Sequence, residues 1–229
     1  MNDEEKLSRA ISLTQVIRPP RQALATFGVT NIEYYLVTQP VYAEGATEET
    51  VVRRGRVVAN RPRIVTPHYL SQVEGFSADA RHYLTKLMAE HGPHAPGIYY
   101  TYRNEPGGLD IMSDGPRTVI EKINREIDEK NNPLATIIRG MDEMWDVSLM
   151  KFIFEMTGNS FGENVRELGS RGLLRVDDDG VPQGARLRIE EMFSQLYRGA
   201  IKPGELKDEL KRWGLFEAYQ DRFLALFRR

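Results

Sequence analysis

Residues 146–193, DVSLMKFIFEMTGNSFGENVRELGSRGLLRVDDDGVPQGARLRIEEMF, decide how the second half of the chain is read. They read as two short helices, 147–156 and 161–171, around a Gly158-Asn159 turn. Glycine and asparagine both tolerate the left-handed backbone that tight turns use. Gly172 is a good helix-ending glycine, Leu173 and Leu174 follow it, residues 175–182 form a polar loop, and a further helix runs to Phe193.

Working outward, Pro133 opens a helix over 134–144, and two more helices follow at 205–213 and 216–227. The order helix, helix, turn, helix, loop resembles a winged helix-turn-helix. The run NVRELGSRGLL (164–174) is similar to the end of a recognition helix in winged-helix proteins. The resemblance covers roughly a quarter of the chain and implies nucleic-acid contacts through Arg166 and Arg171. Charge opposes that use. Glu163 and Glu167 cancel the two arginines, and the tip of the wing would be Asp177-Asp178-Asp179, which repels phosphate. Residues 134–201 hold 8 basic and 11 acidic side chains. The expectation is a helical, winged-helix-like domain over 133–229 that contacts protein rather than DNA. The three aspartates also read as a solvated turn, since the closing glutamate of a calcium loop is missing.

The first half reads differently. Residues 1–30 form an arm in which Pro19-Pro20 stops a helix begun near Glu4. Residues 32–42 and 50–66 are rich in aromatic and β-branched residues and predict a hairpin, with a bulge at Gly55. A helix over 77–91 begins at the N-cap Ser77, with a stripe of Tyr83, Leu84, Leu87 and Met88. Residues 98–103 and 109–113 flank Glu105-Pro106-Gly107-Gly108 and suggest a second hairpin. The next helix, opened by Asp114 and Pro116, buries Val119, Ile120, Ile123 and Ile127. The fold class is therefore α+β: an N-terminal antiparallel sheet with two helices (ββαββα) over 31–132, then the helical half.

Composition narrows the function. At 41% hydrophobic and 28% charged, 229 residues can build an ordinary packed core. A net charge of −2 gives no general attraction for nucleic acid or anionic membrane, so such binding would need a local patch. With no cysteine, disulfides, thiolate metal sites and cysteine nucleophiles are excluded. The acidic start MNDEEKLSRAISL lacks the apolar segment of a signal peptide, and no run nears the ~20 apolar residues that cross a bilayer. A soluble, cytoplasmic protein is expected.

The concentrated positive run is Arg53, Arg54, Arg56, Arg61 and Arg63, which reads either as a charged strand face that guards against aggregation or as a patch for phosphate, RNA or an acidic partner. Glu44, Glu48 and Glu49 stand ready to neutralise it across the hairpin. His68, His82, His91 and His94 fall in one window, and the Gly-Pro loop could aim His91 and His94 at a metal. Zinc needs three or four ligands, however; Glu90 is the nearest acidic candidate, and no HExxH or paired His-Asp pattern appears. Phosphate-loop, dinucleotide and nucleophile-elbow motifs are missing, and Ser160 and Ser170 lack a nearby base. Tyr34, Tyr35, Tyr99, Tyr100 and Tyr102 read as core more readily than as a pocket. These residues suggest a non-enzymatic binding protein without a cofactor. Its sheet domain would receive a ligand or protein partner, and its helices would contact protein or a second copy. A DNA-binding regulator and a metal-dependent enzyme using His91 and His94 are the alternatives.

Overall fold

A computed structural model describes residues 3–40, 49–72 and 78–227 of this α+β chain. By packing it divides into two units, residues 1–61 with 100–164 and residues 62–99 with 165–229.

The first unit is built on strand β2 (Thr30–Thr38), TNIEYYLVT. Side chains alternate across a strand, and here both faces are buried. Ile32, Tyr34 and Leu36 pack with Leu149, Phe152, Ile153 and Met156 of helix α5 (Trp145–Ser170). Tyr35 and Val37 pack with Val119, Ile123 and Ile127 of helix α4 (Pro116–Lys130). A strand covered on both sides reads as a near-continuous apolar run, here Tyr34–Val37. Around it lie β1 (Gln15–Arg18), β3 (Thr50–Ala59), β6 (Tyr102–Met112) and β7 (Ala135–Arg139), in the order β1-β7-β2-β3-β6. The sheet is mixed, because β7 runs parallel to β2 while the other pairs are antiparallel.

Several expectations change here. Residues 134–144 are not a helix: Ala135, Thr136, Ile137 and Ile138 are buried in β7 beside β2. Three β-branched residues in a row favour a doubly covered strand, and a short apolar run does not separate the two forms by periodicity. The expected domain boundary near residue 132 therefore falls inside the first unit. The arm supplies α1 (Asp3–Leu13) and the edge strand β1, which pairs with β7. Pro106 and Gly107 do not turn the chain. Both lie within β6, an edge strand where a proline breaks no ladder on its outer side. The register slips opposite them between Arg53 and Gly55, at the expected bulge. Nor does Gly158-Asn159 turn the chain, because α5 passes through it unbroken for 26 residues. An interior glycine costs about 1 kcal/mol, less than burying the apolar face of the helix returns. The helix-turn-helix expectation fails on this point.

The second unit holds the two-stranded ribbon β4 (Arg63–Val65) and β5 (Gly97–Tyr99), with α2 (Pro67–Ser71) and α3 (Ala78–His91) between them. Helices α6 (Gln183–Tyr197), α7 (Pro203–Arg212) and α8 (Phe216–Ala225) complete it. Its core gathers Tyr69, Ile189, Phe193, Leu206, Leu210, Trp213 and Phe223. Inside that core Glu209 accepts the Tyr69 hydroxyl at 2.9 Å and the Trp213 indole N–H at 3.2 Å. Burial, helped by the Glu209 carboxylate, pushes the Tyr69 hydroxyl up, so it remains a donor. Tyr83 is 61% exposed rather than part of a buried stripe. The expected N-cap Ser77 and the loop residues Glu44 and Glu48 lie outside the described residues.

Candidate functional site

In the first unit a cavity of about 450 Å³ opens at the carboxyl ends of β2 and β7. Parallel strands carry their chain ends to one edge, and a crevice forms there when the following segments leave in different directions. After β7 the chain enters a 3-10 turn (Asp142–Met144) and then α5. After β2 it returns as the antiparallel β3 on the other side. Gly140 makes the junction close. Its N–H donates to the Val37 carbonyl at 3.1 Å, and a side chain on it would collide with the Ser148 hydroxyl. That hydroxyl shares a 2.7 Å hydrogen bond with Thr14, whose own hydroxyl donates to the Ala10 carbonyl. The site is framed by the end of α1, the start of β1, the ends of β2 and β7, the 3-10 turn and Pro116 at the start of α4.

Its charged groups fall into two sets. Asp142 is committed to the fold: it accepts from Arg53 at 2.6 Å and from the Thr38 hydroxyl at 2.7 Å, and Arg53 lies over the Trp145 ring. Arg9 and Arg139 line the same cavity, and neither forms an ion pair or side-chain hydrogen bond among the described residues. Gln15 and Gln39 offer amides beside them, and Glu143 is the further carboxylate of the lining.

The residues singled out from sequence are placed as follows. Arg53 holds Asp142. Arg54 reaches Asp110 at 3.1 Å and Glu126 at 3.4 Å and lies over the Tyr35 ring. Arg56 donates to Glu105 at 2.8 Å, and Arg103 shares that carboxylate. These three arginines are thus neutralised locally, by carboxylates remote in sequence. Arg61 closes the first segment of the first unit, whereas Arg63 lies on β4 of the second. Arg166 sits on α5, and Arg171 pairs with Glu167 at 3.3 Å one residue past its end. His91 stands 3.9 Å from Glu90, while the His94 ring centroid is 5.7 Å from that of His68. No group of three or more metal-ligating side chains occurs among the described residues.

The aspartate run is a locked turn. Asp177 accepts the amides of Asp179 and Val181, and Arg186 donates to it at 2.7 Å. Burial pushes the Asp177 carboxyl up, but Arg186 and the amides outweigh it and hold it below its usual range. Tyr34 and Tyr35 are core, and Tyr100 donates to Asn164 at 2.7 Å with its hydroxyl pushed by burial to about 12. Ser160 is buried between the Leu24 amide and the Met156 carbonyl.

Arg9, Gln15, Gln39 and Arg139 were not singled out from sequence. One local signal existed: Arg139-Gly140 directly follows the β-branched run ATII, the mark of a strand running out into a loop. Comparison with protein-family models, curated proteins and solved structures finds no match, so the site is read from its own chemistry. No helix among the described residues is long and apolar enough to cross a membrane.

Proposed function

We propose that this chain works by binding, with the sheet unit receiving a small organic acid in the cavity at the ends of β2 and β7. The observation that carries the reading is the pair Arg9 and Arg139, two arginines lining one cavity without a carboxylate partner among the described residues. Arginine is always charged and presents planar donors suited to a carboxylate or phosphate. The volume of about 450 Å³ suits a small molecule. Glu143 at the same site repels a polyanion and disfavours nucleic acid as the occupant. In this reading the helical unit makes protein contacts, supported by Leu187 and Tyr197, exposed apolar side chains of α6.

Titration calorimetry with citrate and with inorganic phosphate tests the proposal. One charge-assisted contact is worth about 1.5–3 kcal/mol, so Arg139→Gln should weaken binding at least about tenfold. Arg9→Gln should act in the same direction, while Arg56→Gln, remote from the cavity, should leave binding unchanged. Heat that fails to saturate, or an equal affinity in Arg139→Gln, would remove the reading.

A further inference from the structure

Helix α5 turns toward solvent a face that a surface helix normally makes polar. Met150, Phe154 and Phe161 are 65, 79 and 47% exposed. At 3.6 residues per turn they share one side, away from Phe152, Met156 and Ser160, which the unit buries. Gly158 and Gly162 lie on the same side, and a Cβ built on either would meet nothing within 4 Å. No steric clash thus requires glycine at either position, although glycine weakens a helix interior.

The spacing supplies a reason. Met150, Phe154, Gly158 and Gly162 recur every four residues, two large side chains followed by two missing ones. When two such rows lie antiparallel, crossing at the level of Met156, Phe154 faces Gly158 of the second copy and Met150 faces its Gly162. The two-fold axis repeats both pairings. Each large side chain then enters the gap left by a glycine, the reciprocal fit that a two-fold contact between identical chains demands. A crossing without side chains on one partner also lets the helix axes approach closely.

We infer that α5 is a self-association surface, on which a second copy of this chain docks antiparallel through residues 150–162. With about 200 Å² for a whole large side chain, the exposed 65, 79 and 47% of Met150, Phe154 and Phe161 on two copies would bury about 800 Å². Flanking polar and backbone surface adds to that, which places the contact at the low end of stable interfaces and makes the dimer concentration-dependent. The inference is independent of the cavity.

Sedimentation velocity of the full chain between about 1 and 200 µM should show a monomer–dimer equilibrium. Phe154→Asp should raise the dimer Kd at least about thirtyfold, by losing a central apolar contact. Gly158→Leu should raise the Kd as well while raising the Tm of the monomer, because leucine is the better helix former. A folding defect would lower the Tm instead, so the two effects separate. Asp146→Cys, labelled with a nitroxide in a chain that has no other cysteine, reports the orientation. An antiparallel crossing at residue 156 sets the two labelled backbones about 30 Å apart along the axis, from ten residues on each side. A monomer at every concentration, a dimer indifferent to both substitutions, or a short distance between labels would overturn the inference.

Discussion

Replacing Glu209 with alanine should cost the second unit about 3–4 kcal/mol. The carboxylate is 5% exposed and serves two donors on different oxygens, the Tyr69 hydroxyl on Oε2 and the Trp213 indole on Oε1. Hydrogen bonds to a charged group contribute about 1.5–3 kcal/mol each, and a buried donor left alone loses its hydration without return. Two such bonds sum to about 3–6 kcal/mol, and the lower part of that range applies because they share one acceptor group. Arg188 and Arg212 make longer contacts with the same carboxylate, at 3.8 and 3.9 Å. Glu209→Gln keeps the volume but only one accepting oxygen, so it should cost about half as much. Trp145 and Trp213 are the chain's two tryptophans, so urea unfolding followed by fluorescence in a Trp145→Phe background reports the second unit alone. With a slope of about 1–3 kcal/mol per molar, the alanine variant should lower the midpoint by about 1–4 M with the slope unchanged. A loss under about 1 kcal/mol, or a glutamine variant as damaged as alanine, would refute the claim that these two bonds organise the core.

Two further predictions concern pH and the cavity floor. Glu126 and Glu190 are held below the usual carboxylate range, first by hydrogen bonds from Lys130 and Arg222 respectively, and Asp177 is held low by Arg186 and backbone amides against its burial. A depressed carboxyl contributes stability above its unfolded value, and this is lost as pH falls through the folded one. The urea midpoint should therefore stay level from about pH 7 to 5 and fall below about pH 4, and Arg222→Gln should flatten that fall; a midpoint unchanged at pH 3 contradicts the assignment. Gly140→Ala should destabilise the first unit by about 1–3 kcal/mol, the usual cost of overpacking, because its methyl meets the buried Ser148 side chain; circular dichroism during urea unfolding measures it, and an unchanged midpoint rejects the close approach.

What could be read from sequence followed from local patterns of one residue type. The density of aromatic and β-branched residues from Ile32 to Val37, the stripe Val119, Ile123 and Ile127, and the apolar spacing toward Phe193 each name an element by themselves. The cavity was not legible in the same way. It joins Arg9, Gln39 and Arg139, which meet only because β7 slots in parallel beside β2 and β1 adds to the edge. A parallel pair is closed by a long crossover, here through β3, β6 and α4, and no local pattern encodes which strand the returning chain chooses. The arginine run shows the same limit. Its charge was visible, while Asp142, Asp110, Glu126 and Glu105, which pair with Arg53, Arg54 and Arg56, sit 49 to 89 residues away for the hydrogen-bonded pairs.

The misreading of α5 has a more specific cause. Gly158-Asn159 looked like a turn because glycine is a poor choice inside a helix unless something repays it. The structure keeps the helix, and the space that a Cβ would take at Gly158 and Gly162 is open. Local helix energetics therefore point away from glycine at both positions, and the turn that would have excused them does not exist. The same face carries Phe154, 79% exposed, where hydration also opposes the choice. Two unfavourable features on one surface, four residues apart and complementary in shape, become favourable together only if another helix covers them. The feature that hid the helix from sequence reading is thus the one that marks its outer face as a contact.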